Sequence, residues 1–468
     1  MSNRPSPRST AVVIGGSMAG LSAAAVLATR FDAVIIVERD VVPDHPADRK
    51  GVPQGRHAHG LLPPGMIRLE EWFPGLIDEL AAAGAPIVDV GRDALWHQGG
   101  YRHRFVSGIR GPLASRALLE FHVRRRTLAL PNVSLRAGAG VVGLLTDEEG
   151  TQVSGVLLAD GTDVPADLVV DASGRQGRSL RWLEELGYDA PPTTEIAIDV
   201  AYASRIFERD PSRHPGFEFA LVLAGPPTGR QGVAFPLEAD SHTGPPSRGG
   251  RWIVTLAGMH GERPPSDPAG FLAFARSLPS PEIADLVESS APLGPIVTHR
   301  LHSNQRRHVE RMRRVPGGLV LLGDAVCSFN PTYGQGMTTA TLQAEALGRA
   351  LDRVPTLDAR FVKAFYKRAA RAITPAWQLT TGADFALPAT QGKKAPGTDL
   401  LNRYMPRVFR AAQVDEAVCR RVIEVTTLLR PPPALLTPAM VAKVFRASRQ
   451  ALAPAPTPLP TEREPVAA

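Results

Sequence analysis

A glycine-rich segment near the N terminus has the residue types and the spacing that bind a nucleotide diphosphate. In GGSMAG, Gly15 and Gly20 take the outer positions of the G-x-G-x-x-G pattern, while Ser17 stands at the middle position and Gly16 precedes it. Glycine lets a backbone approach phosphate closely, and the free N–H groups of a helix N terminus attract the negative charge. Glu38 follows about 20 residues later, where a carboxylate binds ribose hydroxyls and repels a 2′-phosphate. The segment predicts a dinucleotide site.

The elements around this turn are those that such a site requires. Residues 12–14 are apolar, residues 19–27 are small and apolar, as in a helix packed closely on a sheet, and residues 34–37 are apolar again. We interpret them as strand, helix and strand. The alternative is a glycine turn in another kind of doubly wound protein.

A second polar position follows a buried strand late in the chain. Residues 319–322 are predicted to form a strand that delivers Asp324, and Gly334, Gln335 and Gly336 then open a helix. The start of a helix carries a partial positive charge that stabilises a neighbouring anion. The alternative role for Asp324 is that of an ordinary turn or helix-capping aspartate.

Three stretches in this order resemble the motifs of FAD-dependent monooxygenases with a p-hydroxybenzoate-hydroxylase fold. They are the first strand–helix–strand unit, the segment LVVDASGRQGRS from residue 168, and the segment LVLLGDAVCSFNPTYGQGM from residue 319. A fourth segment, RKGVPQGRHAHGLL from residue 49, resembles the loop that crosses the flavin. That loop is most similar to the one in bacterial polyketide-tailoring epoxidases and hydroxylases, including polyene epoxidases of polyether biosynthesis.

The resemblance implies an α/β (α+β) fold with a Rossmann-like FAD-binding domain, an inserted sheet-rich substrate domain and a C-terminal helical region. We place the FAD-binding domain at residues 10–190 and 295–355, with 85–110 contributing to the substrate sheet. The substrate sheet spans 191–294 and the helical region 356–450. The tails 1–9 and 451–468 are expected to be disordered, since the second is rich in proline and poor in apolar mass. Two local predictions are a helix near 66–82 and a helix N-cap at Ser115.

The resemblance also assigns roles in binding FAD. Asp324 would bind ribityl or ribose hydroxyls, Arg116 would reach the phosphates and the ribityl chain, and the helix opened by Gly334 would face the pyrimidine end of the flavin. Arg49 and Lys50 would neutralise the diphosphate, and the strand backbone at Val142 would bracket the adenine. The full set of cofactor-binding candidates is Gly15, Ser17, Met18, Ala19, Gly20, Glu38, Arg39, Arg49, Lys50, Arg116, Val142, Asp324, Gly334, Gln335, Gly336 and Met337.

No obligatory acid or base is assigned, because the flavin itself performs the oxygen chemistry and the protein supplies an oriented pocket. Gln54 and His57 are placed near the flavin ring. Candidate pocket-lining residues are Phe219, Phe235 and Trp252, for each of which core packing is the alternative. His57 and His59 lack a third ligand at metal-binding spacing, so no metal site is predicted.

The implied reaction transfers one oxygen atom from O2 to a small apolar organic substrate through C4a-hydroperoxyflavin. NAD(P)H would supply the electrons, directly or through a separate flavin reductase, and the product would be an epoxide or a hydroxylated compound of secondary metabolism, such as a polyketide. One alternative is an oxygen-independent reductase or dehydrogenase of the geranylgeranyl-reductase-like branch. A noncatalytic flavin-fold binding protein is another, and a halogenase is disfavoured because no WxWxIP segment is present.

Composition narrows the choice of function further. The 468 residues include 53 Lys and Arg against 46 Asp and Glu, but the arginine-rich segments lack interleaved aromatic residues, so nucleic acid is not an expected partner. Two cysteines, Cys327 and Cys419, indicate neither a disulfide framework nor a zinc site. No long apolar run or signal peptide is recognised, which favours a cytoplasmic protein without a transmembrane segment. The sequence leaves the oligomeric state open.

Overall fold

A computed structural model describes residues 8–210, 212–213, 216–223, 225–226, 228–238 and 250–450. Of the two tails expected to be disordered, residues 1–7 and 451–468 lie outside the described residues. Residues 8 and 9 instead begin the first strand, because the backbone at Arg8 pairs with Phe31 of the next strand.

The strands are β1 (Arg8–Ile14), β2 (Phe31–Glu38), β3 (Ile87–Asp89), β4 (Ala94–His97), β5 (Arg110–Pro112), β6 (Val133–Ala137), β7 (Val141–Thr146), β8 (Val153–Leu158), β9 (Asp163–Pro165), β10 (Leu168–Asp171), β11 (Thr193–Glu208), β12 (Phe219–Val222), β13 (Gln231–Leu237), β14 (Arg251–Met259), β15 (Val297–Arg307), β16 (Leu319–Leu321), β17 (Cys327–Ser328) and β18 (Gln391–Gly392). The α-helices are α1 (Met18–Ala28), α2 (Pro63–Trp72), α3 (Leu76–Ala82), α4 (Arg116–Leu128), α5 (Ser179–Glu185), α6 (Pro268–Arg276), α7 (Glu282–Ser289), α8 (Gly336–Leu351), α9 (Ala359–Asp384), α10 (Thr398–Ala411), α11 (Glu416–Thr426) and α12 (Pro438–Ala447). Short 3-10 helices cover Pro53–Arg56, Val309–Arg311, Gly323–Ala325, Pro331–Tyr333 and Pro432–Leu435.

A five-stranded parallel sheet in the order β16-β10-β1-β2-β6 forms the first layer. Its centre is fully buried at residues 11–13 of β1, and α1 packs on it with nearly every side chain buried. Gly15, Glu38 and Asp324 all follow the carboxyl ends of these strands, so they meet at one edge of the sheet. The α/β fold predicted from the sequence is confirmed.

A second, mixed sheet has the order β17-β15-β11-β14-β13-β12-β4, with β18 paired to β11. It extends beyond the predicted range 191–294, because β15 and β17 lie later in the chain, while β4 lies within residues 85–110, which were expected to contribute to this sheet. β4 pairs in parallel with β12. The domain boundaries themselves stay a prediction.

The two faces of this sheet have different surroundings. On the outer face, Trp252, Val254 and Leu256 pack with Phe271 of α6 and Ile283 of α7 in one apolar cluster. On the inner face stand Ser204, Thr255, Val233 and Leu221, whose registers place them side by side on neighbouring strands. We use the names outer face and inner face below.

Two local predictions have different outcomes. The helix predicted near residues 66–82 is wrong as a single element, because α2 and α3 are separated at Pro74 and at Gly75, which has a left-handed φ of 83°. The N-cap at Ser115 is confirmed, since its hydroxyl accepts a hydrogen bond from the Leu118 N–H at 3.0 Å. Within the part of the chain that the structure describes, no helix has both the length and the apolar character needed to span a bilayer.

Candidate functional site

The turn between β1 and α1 requires glycine at two of its positions. Gly15 has a φ of 101°, and a side chain there would also approach the Ala172 carbonyl oxygen at 2.7 Å. A Cβ atom at Gly20 would overlap the Gly15 carbonyl oxygen, so this glycine permits close packing of helix and strand. Gly16 meets no such overlap, because its nearest neighbour is the Glu38 side chain at 3.2 Å.

The first turn of α1 has no side-chain cap, so its backbone N–H groups remain available to a ligand. Ser17 stands at the N-cap position with an extended backbone, but its hydroxyl does not bond to the helix. That hydroxyl instead donates to the Glu120 carboxylate at 2.9 Å and accepts from the Arg116 guanidinium at 2.6 Å. Met18 is buried in the core and Ala19 is half-buried, so both contribute mainly through the backbone.

Buried arginines and carboxylates surround this helix start. Glu120 lies 2.7 Å from Arg116 and 2.7 Å from Arg49, and Arg49 also lies 3.1 Å from Glu38. Burial opposes the charged form of Glu120, but the two arginines outweigh it and hold the pKa of the carboxyl below its usual value. Sequence reasoning missed Glu120. The one signal that could have found it is its position one turn after Arg116 on α4.

Glu38 at the end of β2 is bound to the protein backbone. Its carboxylate accepts hydrogen bonds from the Gly16 N–H at 2.7 Å and from the Asp40 N–H at 2.9 Å. The neighbouring Arg49 keeps one guanidinium nitrogen, Nη2, buried without a partner in the part of the chain that the structure describes. An unpaired buried N–H donor beside a capless helix is suited to a phosphate oxygen, so these residues fit the diphosphate of FAD.

Asp324 follows β16 in a short 3-10 helix at the carboxyl edge of the parallel sheet. Its side chain has substantial accessible surface, yet the protein around it raises the pKa of the carboxyl through desolvation, against the opposing effect of Arg175 and Arg116. A carboxylate in that setting is a hydrogen-bond acceptor suited to ligand hydroxyl groups.

The start of α8 faces the same region. Gly334 has a left-handed φ of 65°, and a Cβ atom added at Gly336 would meet nothing within 4 Å. The Met337 sulfur accepts a hydrogen bond from Arg116 Nη1 at 2.8 Å. Because Arg116 also contacts Ser17, its guanidinium lies between the N termini of α1 and α8. This one side chain therefore links the two predicted halves of the cofactor site.

The loop before α8 is held by the last turns of α9. Gln335 accepts a hydrogen bond from the Thr380 hydroxyl at 2.9 Å. Asp384 accepts from the Asn330 amide at 2.9 Å, from the Tyr333 hydroxyl at 3.0 Å and from a further amide of β15, at Asn304. Burial raises the pKa of Asp384 to about 6, although these three donors lower it. Neither Thr380 nor Asp384 was predicted from the sequence.

Residues 49–62, which we call the crossing loop, touch the inner face of the mixed sheet. His57 lies 2.7 Å from the Ser204 hydroxyl, and the Ala58 N–H donates to the Thr255 hydroxyl at 2.9 Å. Burial and the neighbouring His299 lower the pKa of His57 to about 4, so the ring is neutral at physiological pH. His57 thus joins the FAD side of the molecule to the second sheet.

The predicted pocket residues divide between the two faces. Phe219 and Phe235 belong to the inner face, where their rings meet edge to face at 5.9 Å. Trp252 does not join them, because its register partner is Pro236 and its ring packs with Phe217 on the outer face. The expectation that all three line one pocket is therefore corrected for Trp252.

The remaining candidates lie outside these contacts. Arg39 and Lys50 are exposed, and Gln54 is half-buried in the crossing loop. Val142 is exposed and its carbonyl accepts a hydrogen bond from the Trp182 indole at 3.1 Å. Their roles in binding stay predictions. Among the described ranges, no three His, Cys, Asp or Glu side chains come together as ligands for a metal ion.

Comparisons with known proteins agree with this geometry. The family described as FAD binding domain matches residues 8–362. Protein Rv3254 of Mycobacterium tuberculosis is 33% identical over 400 residues, which cover 81% of each chain. Kynurenine 3-monooxygenase of Salinispora arenicola is 30% identical over 372 residues, covering 74% of this chain and 73% of the relative. The solved structure of the flavin-dependent brominase Bmp2 superposes with a TM-score of 0.63 at 15% identity, covering 93% of this chain and 97% of that one, which shows a shared fold.

Proposed function

The chain is a flavin-dependent monooxygenase of the FAD binding domain family, and on that premise we propose that it oxygenates a small, largely apolar organic substrate with electrons from NAD(P)H. Epoxidation or hydroxylation in a secondary-metabolite pathway, such as polyketide tailoring, is the version we favour. The polyene-epoxidase-like crossing loop supports that choice. The electrons arrive from NAD(P)H directly or through a separate flavin reductase.

The position of Arg116 carries the proposal for the cofactor. Its guanidinium contacts Ser17 at the start of α1 and Met337 at the start of α8. FAD held across this arginine would place its diphosphate against α1 and Arg49, its ribityl hydroxyls against Asp324, and its flavin ring against α8. Glu38 would accept from the adenosine ribose. When bound, FAD supplies the activation of oxygen.

The residues of the chain itself provide binding, orientation and exclusion of water. The two helix N termini give positive potential where the cofactor is negatively charged. The neutral His57, fixed by Ser204, closes the crossing loop over the inner face. On that face Phe235, Val233 and Leu221 are half-buried apolar side chains, which would contact an apolar substrate. We assign no obligatory acid or base.

The test is aerobic turnover with isotopically labelled oxygen gas. The purified protein is loaded with FAD, checked for flavin absorbance, and supplied with NADH or NADPH and candidate polyene or aromatic substrates. One labelled oxygen atom in the product and substrate-stimulated oxidation of one nicotinamide confirm the proposal. Product that carries no label contradicts it.

Three further measurements on the same purified protein distinguish the alternative functions. An oxygen-independent reductase or dehydrogenase would turn over its substrate with the flavin under anaerobic conditions. A protein that takes up no FAD would exclude all flavin chemistry. Oxidation of reduced nicotinamide only when a flavin reductase is added would assign the donor to a separate protein.

A further inference from the structure

One row of side chains crosses the inner face from the crossing loop to the far edge of the mixed sheet. The registers pair Ser204 with Thr255, Thr255 with Val233, and Val233 with Leu221. β4 then adds Trp96 in parallel register beside Leu221. Neighbouring strands lie about 4.8 Å apart, so four steps make a row of roughly 19 Å. The near end of this row touches His57 and the far end carries Trp96.

Arg102 lies over that far end. Its backbone N–H donates to the Trp96 carbonyl at 2.9 Å, and its guanidinium carbon lies 3.6 Å from the centre of the Trp96 ring. Phe409 of α10 contributes a second ring, 5.9 Å from the guanidinium carbon. The C-terminal helices therefore close this end of the inner face. Trp96 itself is half-buried, which keeps the row continuous with the accessible part of the face.

The guanidinium of Arg102 has unused donors. Only 4% of the residue is exposed, Nη2 donates to the Gln98 side chain at 2.7 Å, and Nε and Nη1 have no partner among the described residues. In the same described ranges the Trp96 indole N–H has no partner either. Burial lowers the pKa of Arg102 to about 10, and within the described parts of the chain no carboxylate opposes that effect. A buried cation without an anion carries an uncompensated desolvation cost, which a bound anion would offset.

A second arginine on the same sheet shows the contrast. Arg209 lies 5.0 Å from the Trp252 ring on the outer face, so it stacks on an indole much as Arg102 does. Its guanidinium, however, pairs with the Glu218 carboxylate at 2.6 Å. Arg209 Nε and the Trp252 indole N–H also lack a partner, so the contrast concerns the anion: among the described residues Arg209 has a carboxylate partner and Arg102 has none.

Building on the proposed function, we propose that Arg102 and Trp96 bind the carboxylate end of an elongated, otherwise apolar substrate that lies along the inner face. Guanidinium and carboxylate match in shape and form short, charge-assisted hydrogen bonds, and the indole N–H supplies a further donor. The apolar middle of the row contacts the body of the molecule. The end opposite the carboxylate then reaches His57 and the FAD side of the molecule.

The test measures ligand affinity, independently of turnover. FAD-loaded protein is titrated by calorimetry with dodecanoate and with dodecanol, which share an apolar chain and differ in the charged end. We expect the wild-type protein to bind dodecanoate about tenfold or more tightly than dodecanol, as one charge-assisted hydrogen bond allows. Arg102→Met keeps the aliphatic stem and should remove the preference. Trp96→Phe keeps a six-membered aromatic ring, removes the indole N–H together with the five-membered ring, and should reduce the preference in part.

Arg209→Met is the matched control, since it removes an indole-stacked arginine from the other face, and it should keep the full preference. Equal binding of the two ligands by the wild-type protein, or no binding of dodecanoate, overturns the proposal. So does a preference that survives unchanged in both Arg102→Met and Trp96→Phe. Flavin absorbance and oxidation of reduced nicotinamide are recorded on the same samples. If the wild-type protein shows no flavin absorbance or no oxidation of reduced nicotinamide but still prefers dodecanoate, the proposed function is contradicted. The carboxylate subsite is then retained.

Discussion

Some residues of the cofactor site can be predicted from the sequence, and others cannot. Gly15, Glu38 and Asp324 could be predicted because each belongs to a motif whose spacing follows from strand and helix geometry. Asp384 could not, because its partners lie on distant segments and no local pattern marks it; Glu120 had one local signal, its position one turn after Arg116, but its pairing with Arg49 depends on the fold. A buried carboxylate that balances a distant arginine is visible only when the fold has brought the two together.

Asp324 should affect the cofactor and the fold in opposite directions. In Asp324→Asn we expect FAD affinity to fall about tenfold to a hundredfold, as for the loss of hydrogen bonds to a charged group. The apoprotein should unfold at the same temperature or higher, because a desolvated carboxylate has been removed. FAD titration by fluorescence and thermal unfolding of the apoprotein measure the two effects. Asp163→Asn, at an exposed position, is the control and should change neither; unchanged FAD affinity in Asp324→Asn would contradict this role.

Tyr333 should stabilise the protein in a pH-dependent way. Its hydroxyl donates to Asp384, whose pKa is about 6, so the bond is strongest where that carboxylate is ionised. In Tyr333→Phe we expect the free energy of unfolding to drop by about 2 kcal/mol at pH 8, and by less at pH 5, where the protonated acid makes a neutral bond. Urea unfolding at the two pH values checks this.

The matched control for that experiment is Tyr404→Phe. The Tyr404 hydroxyl donates to the uncharged Leu435 carbonyl at 3.2 Å. Its loss should therefore cost the same stability at both pH values. Equal pH dependence in the two variants would show that Asp384 is not ionised near neutrality.

At the scale of elements, two helix N termini define the cofactor site and glycines shape both. Their positions followed from the sequence, because strand-to-turn-to-helix patterns are local. The break between α2 and α3 was missed, since the apolar spacing continues across it. Gly75 with its left-handed backbone ends that pattern, and Pro74 removes a backbone donor. The single helix was predicted from apolar periodicity alone, which takes no account of Pro74 and Gly75.

Two glycine-to-alanine changes should separate packing from ligand contact. Gly20→Ala forces a methyl group into the Gly15 carbonyl, so we expect the apoprotein to lose about 1 to 3 kcal/mol of stability, as for overpacking, together with FAD affinity. Gly336→Ala meets only open space, so the apoprotein should gain about 0.5 kcal/mol from reduced freedom of the unfolded chain. FAD affinity should nevertheless fall, because the methyl group stands where the cofactor lies. Full FAD affinity in Gly336→Ala would place the flavin elsewhere.

At the scale of the whole molecule, the crossing loop joins the parallel sheet to the mixed sheet through neutral histidines. Burial lowers the pKa values of His57 and His59 to about 4, from 6.5 in the unfolded chain. Below pH 6.5 these two histidines therefore bind protons in the unfolded state but not in the folded state. The stabilisation that depends on neutral His57 and His59 is complete above pH 6.5. It is lost as the pH falls towards 4, and the free energy of unfolding then drops by about 3 kcal/mol for each histidine.

The variant His57→Gln isolates one of these two contributions. We expect its free energy of unfolding to depend less steeply on pH between 6.5 and 4 than that of the wild-type protein. Chemical unfolding across that interval measures the slopes. His45→Gln, whose ring is half-exposed, is the control and should keep the wild-type slope. Identical slopes in all three proteins would mean that His57 is protonated in the folded state.

A contribution of residues 85–110 to the second sheet was expected, but the pairing of β4 with β12 could not be predicted from local sequence patterns. The two strands are separated by more than a hundred residues and pair in parallel. No connecting turn between them therefore predicts the pairing. Only this pairing places Trp96 and Arg102 beside the inner face. In the sequence they are a lone tryptophan and one of many arginines.

The order of strands also has a consequence for how the chain is made on the ribosome. The parallel sheet ends at β16, which pairs with β10, and the mixed sheet needs both the early β4 and the late β15. The parallel sheet cannot be completed until residue 321 has emerged, and the mixed sheet also needs β17 at residues 327–328 and β18 at residues 391–392. A nascent chain that pauses earlier presents unpaired strand edges, which recruit other chains and aggregate. Efficient production should therefore depend on chaperones that shield those edges until translation is nearly finished.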